Sequence, residues 1–142
     1  METITLHEIT AALIARIFLG LLFFFQGYDA VFNVKIKNII QVYEDSFASK
    51  GIPRFLTISG AWFTSFIELI GGLLLILGVF QYYVLSLLGL DLIIASIAFG
   101  ISSPMWDTKH VFPRLLLILF LFVIPESWNV LSLDNLFIYL YK

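Results

Sequence analysis

The chain contains no cysteine, and few of its residues are charged. The first absence excludes disulfides, thiol catalysis and cysteine-bound zinc or iron–sulfur clusters within this chain. Charged residues make up 13% of the 142 residues, about half the share of a soluble domain. The net charge of −2 and the lack of a basic run give no sign of a nucleic-acid partner.

Apolar residues dominate instead, at 61% of the chain with 17% aromatic. This leaves too little polar surface to cover a water-soluble globule, so we expect an integral membrane protein. The length fits a single membrane domain over residues 1–142. The N-terminal seven residues carry no Lys or Arg, and the apolar run behind them is too long for a signal peptide. We interpret that run as a retained membrane helix.

Four segments have the roughly 20 apolar residues that a spanning helix needs. They cover residues 9–32, 57–80, 82–102 and 112–131, with a tight turn at Gln81. The end of the fourth is ambiguous because Pro125 and Glu126 follow the apolar run, so this helix either stops short or kinks and continues. The sequence therefore predicts an all-α, polytopic bundle of four transmembrane helices.

The stretch 33–56 between the first two spans is long and carries four basic residues. Ile36, Ile39, Ile40 and Tyr43 recur at helical spacing with charges between them, which predicts an amphipathic helix on the membrane surface. An ordinary solvated connector is the alternative. The basic residues of this loop, and Lys109 and Arg114 between the third and fourth spans, weakly favour a cytoplasmic position for these two connections. The ends of the chain would then lie outside. We expect a bacterial cytoplasmic membrane location.

Three charged residues fall deep within the predicted spans: Arg16, Glu68 and Asp91. Charges facing lipid are costly, so such residues normally point into the bundle and pair. A step of 100° per residue puts each on a stripe of small or hydroxyl residues, the signature of close packing in membranes. These stripes comprise Ala12, Gly20 and Gly27; Ala61, Thr64, Ser65 and Gly72; and Ala95, Ala98 and Ser102.

We expect these three charges at similar depth, with Arg16 paired to Glu68 or to Asp91. One cation between two carboxylates leaves a surplus negative charge, which a proton, an ion or a ligand would balance. The polar centre either fixes the helix register only or forms a functional pocket, and the pattern alone does not separate the two.

A second polar group lies near the other end of the first span, where Gln26, Tyr28 and Asp29 occur together. Asp29 is expected to pair with Arg114 at the start of the fourth span, unless these groups only cap helices at the interface. His7 and His110 are predicted on opposite faces, which argues against a shared haem or metal site. No catalytic triad, dinucleotide fingerprint or metal-spaced cluster occurs, so we expect no intrinsic cofactor.

Several motifs in order resemble the DoxX family of small four-helix membrane proteins. They are ARIFLG at 15–20, ELIGGLLLILG at 68–78, Asp91 in GLDLIIA, and SLD at 132–134, and the resemblance covers roughly residues 10–137. One departure lies after the first span, where the family often carries a lysine and this chain has Asp29 and Ala30. Lys35 is the nearest substitute.

The resemblance implies a four-helix bundle, a link to respiratory or redox-stress complexes, and a polar centre of Arg16, Glu68 and Asp91. Three functions stay open. The first is a non-catalytic subunit that assembles with other membrane proteins and with lipids. The second is a redox subunit that binds a quinone or a lipid, with another chain carrying the electrons. The third is a small transporter or proton path through Glu68 and Asp91, although no inverted repeat is evident.

Overall fold

The computed structural model of the chain describes residues 5–102 and 111–140, and all regular secondary structure in this part is helical. The helices are α1 (Leu6–Tyr28), α2 (Ile36–Ala48), α3 (Arg54–Leu77), α4 (Gln81–Ser102), α5 (Phe112–Val123) and α6 (Leu133–Leu140). A π-helical turn, Asp29–Asn33, extends α1, and a 3-10 turn, Glu126–Trp128, lies between α5 and α6.

Three of these helices are long and apolar enough to cross a membrane: α1 with its π-helical extension, α3 and α4. They confirm the first three predicted spans. The predicted fourth span, 112–131, is not confirmed as a spanning helix. Its helix α5 has 12 residues, or about 18 Å, against a hydrocarbon core of about 30 Å.

The helix α5 ends because Ile124 is extended, with φ −66° and ψ 144°. The residue before a proline is restricted to this region, and Pro125 follows. Of the two alternatives that the sequence left open, the helix stops short. The chain then passes through the 3-10 turn into α6, which lies beside the α3–α4 turn: Asp134 N donates to Gly78 O at 3.1 Å.

The helices α1 and α3 pack against each other over most of their length, in antiparallel directions. Small residues allow this approach. A methyl group added at Gly20 would lie 2.7 Å from the side chain of Ile76, and one at Gly27 would overlap the backbone of Leu69. The tight turn predicted at Gln81 is present: α3 ends at Gly78 in the left-handed region, with φ 70°, and α4 begins three residues later.

The amphipathic segment predicted between the first two spans is confirmed as the helix α2. It packs against α3 and α4 through its apolar face, with Ile36 and Phe47 buried near its two ends. Glu44 of α2 forms an ion pair with Arg54 at the start of α3, at 2.5 Å, and Lys50 Nζ, beyond α2, donates to Ile101 O. We call this end of the bundle, with α2, the inner end, and the end with the α3–α4 turn the outer end.

The hydrophobic core occupies the outer half of the bundle. Leu19 and Phe23 of α1 contact buried residues of α3, α4 and α5, and the side chains with less than 2% exposure include Leu75, Leu88 and Ile118. Buried polar residues lie both toward the outer end, at Arg16 and Ser132, and deeper in the bundle, at Glu68 and Asp91.

Candidate functional site

Glu68 is buried in the middle of α3, with 5% of its surface exposed. Its Oε1 accepts a hydrogen bond of 2.5 Å from Gln26 Nε2 on α1. The contact follows from the glycine packing, because the absent side chain at Gly27 brings the backbones of the two helices together beside Glu68. Glu68 faces the bundle interior as predicted, but its hydrogen-bond partner is an amide, not an arginine.

Asp91 lies at the middle of α4 with no exposed surface. Its carboxylate is close enough to Glu68 for the two groups to interact electrostatically. Within residues 5–102 and 111–140, no N–H or hydroxyl group donates to either oxygen of Asp91. Its carboxyl group interacts instead with that of Glu68, and two buried acids at this distance require a proton, an ion or a ligand between or beside them.

Arg114, in the first turn of α5, supplies the positive charge near these two acids. Its guanidinium interacts electrostatically with Glu68 and with Asp91. It also lies over the buried ring of Phe23, 5.6 Å from the ring centroid. A guanidinium on an aromatic face is held in one orientation. Glu68, Asp91 and Arg114, with the amide of Gln26, form what we call the polar cluster.

Arg16 is buried as predicted, with 3% exposure, but it is not part of this cluster. Its Nη2 donates to Leu131 O, and its charge interacts with Asp134. At 1.5 Å per residue, it lies about 15 Å from Gln26 along α1. The predicted pairing of Arg16 with Glu68 or Asp91 is therefore wrong. The glycine contacts offset α1 along α3, so Arg16 is level with the α3–α4 turn.

The other predicted pair, Asp29 with Arg114, is also not formed. Asp29 accepts a hydrogen bond of 2.5 Å from Asn33 Nδ2 within the π-helical turn. Tyr28 is 42% exposed and packs against Phe24 and Phe32. Of the four secondary polar residues, Gln26 and Arg114 belong to the polar cluster, Asp29 lies near it, and Tyr28 faces outward.

A cavity of about 700 Å³ opens next to the polar cluster. Glu68, Gln26, Arg114 and Asp29 contribute its polar wall, and α2 closes it from the inner end through Asn38, Ile39, Val42, Tyr43 and Phe47. The small residues predicted to mark tight packing instead leave this space open, since Ala61, Thr64, Ser65, Ala95 and Ala98 all line it. The hydrophobic core lies between the cavity and the outer end.

A second cavity, of about 550 Å³, lies at the outer end between the start of α4 and α6. Its lining includes Gln81 and Asp134, whose side chain accepts a hydrogen bond of 3.3 Å from Gln81 N. Arg16, Leu131 and Asp134 thus hold α6 against the other helices. The role of Arg16 that these contacts support is structural.

Two features of the site were missed by sequence reasoning. Arg114 was predicted to pair with Asp29 or to cap a helix at the interface, and its position beside Glu68 and Asp91 was missed, although Pro113 in the first turn of α5 marks where that helix begins. The helix α2 was predicted to lie on the membrane surface, and the cavity that its apolar face covers was not predicted. No group of three metal-binding side chains occurs within the residues that the structure describes. His110 lies outside them, and Lys35 is exposed.

The DoxX family model matches residues 11–101. The match takes in α1 to α4, and with them Gln26, Glu68 and Asp91. The SLD motif at 132–134 lies beyond it, so that part of the resemblance stays a prediction. No curated protein and no solved structure matches the chain.

Proposed function

Because the chain belongs to the DoxX family of membrane proteins, we propose that it binds an amphipathic molecule, a quinone or a lipid, within its helix bundle. The head group would meet the polar cluster, and the apolar part would occupy the cavity under α2. The protein would hold this molecule without transforming it alone. The site offers two carboxyl groups, an amide and a guanidinium, and the chain has no cysteine to act as a redox group; we assign any electron transfer to a partner chain.

The observation that supports this proposal most directly is the cavity beside Glu68 and Arg114, next to the buried Asp91. Its volume of about 700 Å³ lies within the range of roughly 300–1,000 Å³ for small-molecule sites. Such sites combine apolar walls with a few polar groups at one end. Here Phe25, Leu56 and Ile94 contribute apolar wall, and Glu68 and Arg114 lie together on the polar side.

The first test fills the cavity and measures what remains bound. Ala98→Phe places a large ring in the cavity wall, whereas Ile97→Phe makes the same residue at a neighbouring position that is 58% exposed. We expect Ala98→Phe to lower the amount of co-purifying lipid or quinone about tenfold, equivalent to about 1.4 kcal/mol. Ile97→Phe should retain it. Mass spectrometry of gently extracted, folded protein measures both.

Equal retention by the two folded variants would contradict binding in this cavity. A wild-type protein that carries no lipid or quinone in any preparation, and takes up none when it is added, would also contradict it.

A second candidate function is that of a subunit or accessory protein in a larger complex of the bacterial cytoplasmic membrane, respiratory or linked to redox stress. The short α5 favours it, because a helix of about 18 Å leaves part of the bundle without a full-length fourth wall. A helix of another membrane protein would complete that side. Cross-linking in intact membranes from a photoreactive residue at Phe122 of α5 tests this, and recovery of the monomer alone would contradict it.

The transporter hypothesis has less support. Leu19, Phe23, Leu75 and Leu88 are packed across the bundle between the cavity and the outer end. A path across the membrane would require this core to open, and such cores are densely packed. We therefore favour a binding site that the hydrophobic core closes toward the outer end and that α2 covers at the inner end.

A further inference from the structure

The charged groups around the cavity are not balanced. Asp29, Glu68 and Arg114 are its charged lining residues, and Asp91 lies directly behind Glu68. There is thus one guanidinium for three carboxyl groups, and even with one proton shared between Glu68 and Asp91, two negative charges remain against one positive charge. The exposed Lys37 is not among the lining residues, so no lysine of α2 offsets this excess. An anionic head group would add a further negative charge in a region of low dielectric constant, where repulsion between like charges is strong.

The polar cluster also has more hydrogen-bond acceptors than available donors. The amide of Gln26 already donates to Glu68, and no N–H group of the described residues donates to Asp91, whose carboxyl group interacts with that of Glu68. The guanidinium of Arg114 lies over the ring of Phe23 and already interacts electrostatically with both Glu68 and Asp91. A carboxylate accepts hydrogen bonds and does not donate them when it is ionised. The unmet demand at this site is therefore for donors and positive charge.

We propose that the cavity selects amphiphiles with a hydrogen-bond-donating head group, an ammonium before a hydroxyl, and excludes anionic heads. This inference rests on the proposed function and narrows its ligand to head groups that carry an N–H or O–H, which excludes an oxidised quinone because its carbonyl groups only accept hydrogen bonds. The head group would donate to Glu68, which lines the cavity, and its chain would lie against the walls of α2, α3 and α4. Asp91 would act through its charge, without contact, since it has no exposed surface.

The probes that test this share one hydrocarbon chain and differ in the head group. They are dodecylammonium, dodecyltrimethylammonium, dodecanol and dodecyl sulfonate. The first is a cation with donors, the second a cation without N–H, the third a neutral donor and the fourth an anion. Binding is measured at neutral pH to the purified full chain in zwitterionic lipid nanodiscs. Empty nanodiscs are the blank for partitioning of each probe into lipid.

We expect dodecylammonium to bind at least about tenfold more tightly than dodecyl sulfonate. A tenfold difference in Kd requires a difference of only about 1.4 kcal/mol between the binding free energies of the two head groups. Dodecanol should fall between them. Dodecyltrimethylammonium should bind more weakly than dodecylammonium, because it cannot donate a hydrogen bond to Glu68. The comparison needs no mutation, so it remains decisive even if a variant fails to fold.

Two isosteric variants distinguish the hydrogen bond that the head group makes to Glu68 from the electrostatic effect of Asp91. Glu68→Gln should remove most of the preference for ammonium over sulfonate. Asp91→Asn should weaken dodecylammonium and leave dodecanol nearly unchanged, which a merely structural role for Asp91 would not produce. Glu126→Gln is the matched control, because it removes one carboxylate from the 3-10 turn Glu126–Trp128, far from the cavity, and should preserve the full order of affinities.

The outcomes distinguish this inference from the proposed function. If all four probes bind above the blank with equal affinity, head-group selection is overturned while amphiphile binding stands. If dodecyl sulfonate binds most tightly, Arg114 recognises the head group and the inference is overturned. If no probe binds above the blank, the proposed function fails with it.

Discussion

Glycine residues set the distance between α1 and α3, and through it the position of the polar cluster. A side chain at Gly27 would overlap the backbone of Leu69 and come within 2.8 Å of the carbonyl carbon of Glu68. The hydrogen bond between Gln26 and Glu68 therefore depends on a neighbouring residue that has no side chain. Gly60 of α3, by contrast, has open space around it.

We expect Gly27→Ala to destabilise the protein by about 1–3 kcal/mol, the usual cost of overpacking. Gly60→Ala, the matched control, should be neutral or stabilise by up to about 1 kcal/mol, because alanine favours a helix more than glycine does. Thermal unfolding in detergent measures both changes. Equal melting temperatures for the two variants would show that the close approach at Gly27 is not required.

At the scale of secondary-structure elements, α2 is joined to the spanning helices on either side of it through a residue with positive φ. It begins after Lys35, which has φ 67°, and is followed by Gly51, which has φ 74°. A non-glycine residue with positive φ is uncommon and marks a constrained junction. Between these junctions, Ile36 and Phe47 are its buried contacts with the bundle. We infer that α2 is a separately held cover over the cavity.

Phe47→Ala should loosen α2 without unfolding the spanning helices. Removing a buried aromatic side chain costs about 3–5 kcal/mol in a core, and that loss should fall on this local unit. We expect amide hydrogen exchange in residues 36–48 to become at least about tenfold faster, since each factor of ten corresponds to about 1.4 kcal/mol.

Gln41→Ala, at an exposed position of the same helix, is the control and should leave exchange unchanged. If exchange accelerates equally in α3 and α4 of the Phe47→Ala variant, then α2 is an integral part of the bundle and not a separate cover.

At the scale of the whole molecule, the order of the helices places two surfaces on opposite sides of the membrane. The inner end carries α2 and the residues after it, and the outer end carries the α3–α4 turn with the 3-10 turn beside α6. The basic residues Lys35, Lys37, Lys50 and Arg54 all lie at the inner end. Basic connections favour the cytoplasm, so α2 and the cavity that it covers should lie toward that side.

Cysteine labelling tests this orientation directly, because the chain has no cysteine of its own. Ser49→Cys and Ser127→Cys are conservative changes at two exposed positions, one at each end. In intact cells, a membrane-impermeant maleimide should label Ser127→Cys and reach Ser49→Cys only after the cells are opened. The unmodified chain, which has no thiol, is the blank. Labelling of both positions in intact cells would contradict the topology.

The sequence by itself determined the helical class, three spanning segments, the helix α2 and the inward direction of Arg16, Glu68 and Asp91. The physical reason is that few backbone conformations and few orientations of charged side chains are stable in lipid. Backbone groups must be paired within a helix, and charged side chains must turn away from the hydrocarbon. Composition and periodicity report both constraints directly. The alternation of small and large residues also identified the stripes that face inward.

Only the tertiary structure decided which charges meet. The direction of a side chain around its helix follows from periodicity, but its position along the axis depends on how neighbouring helices are offset. The contacts at Gly20 and Gly27 set that offset. They place Arg16 beside Leu131 and Asp134, and they leave Arg114, at the start of a helix too short to span, as the cation next to Glu68 and Asp91.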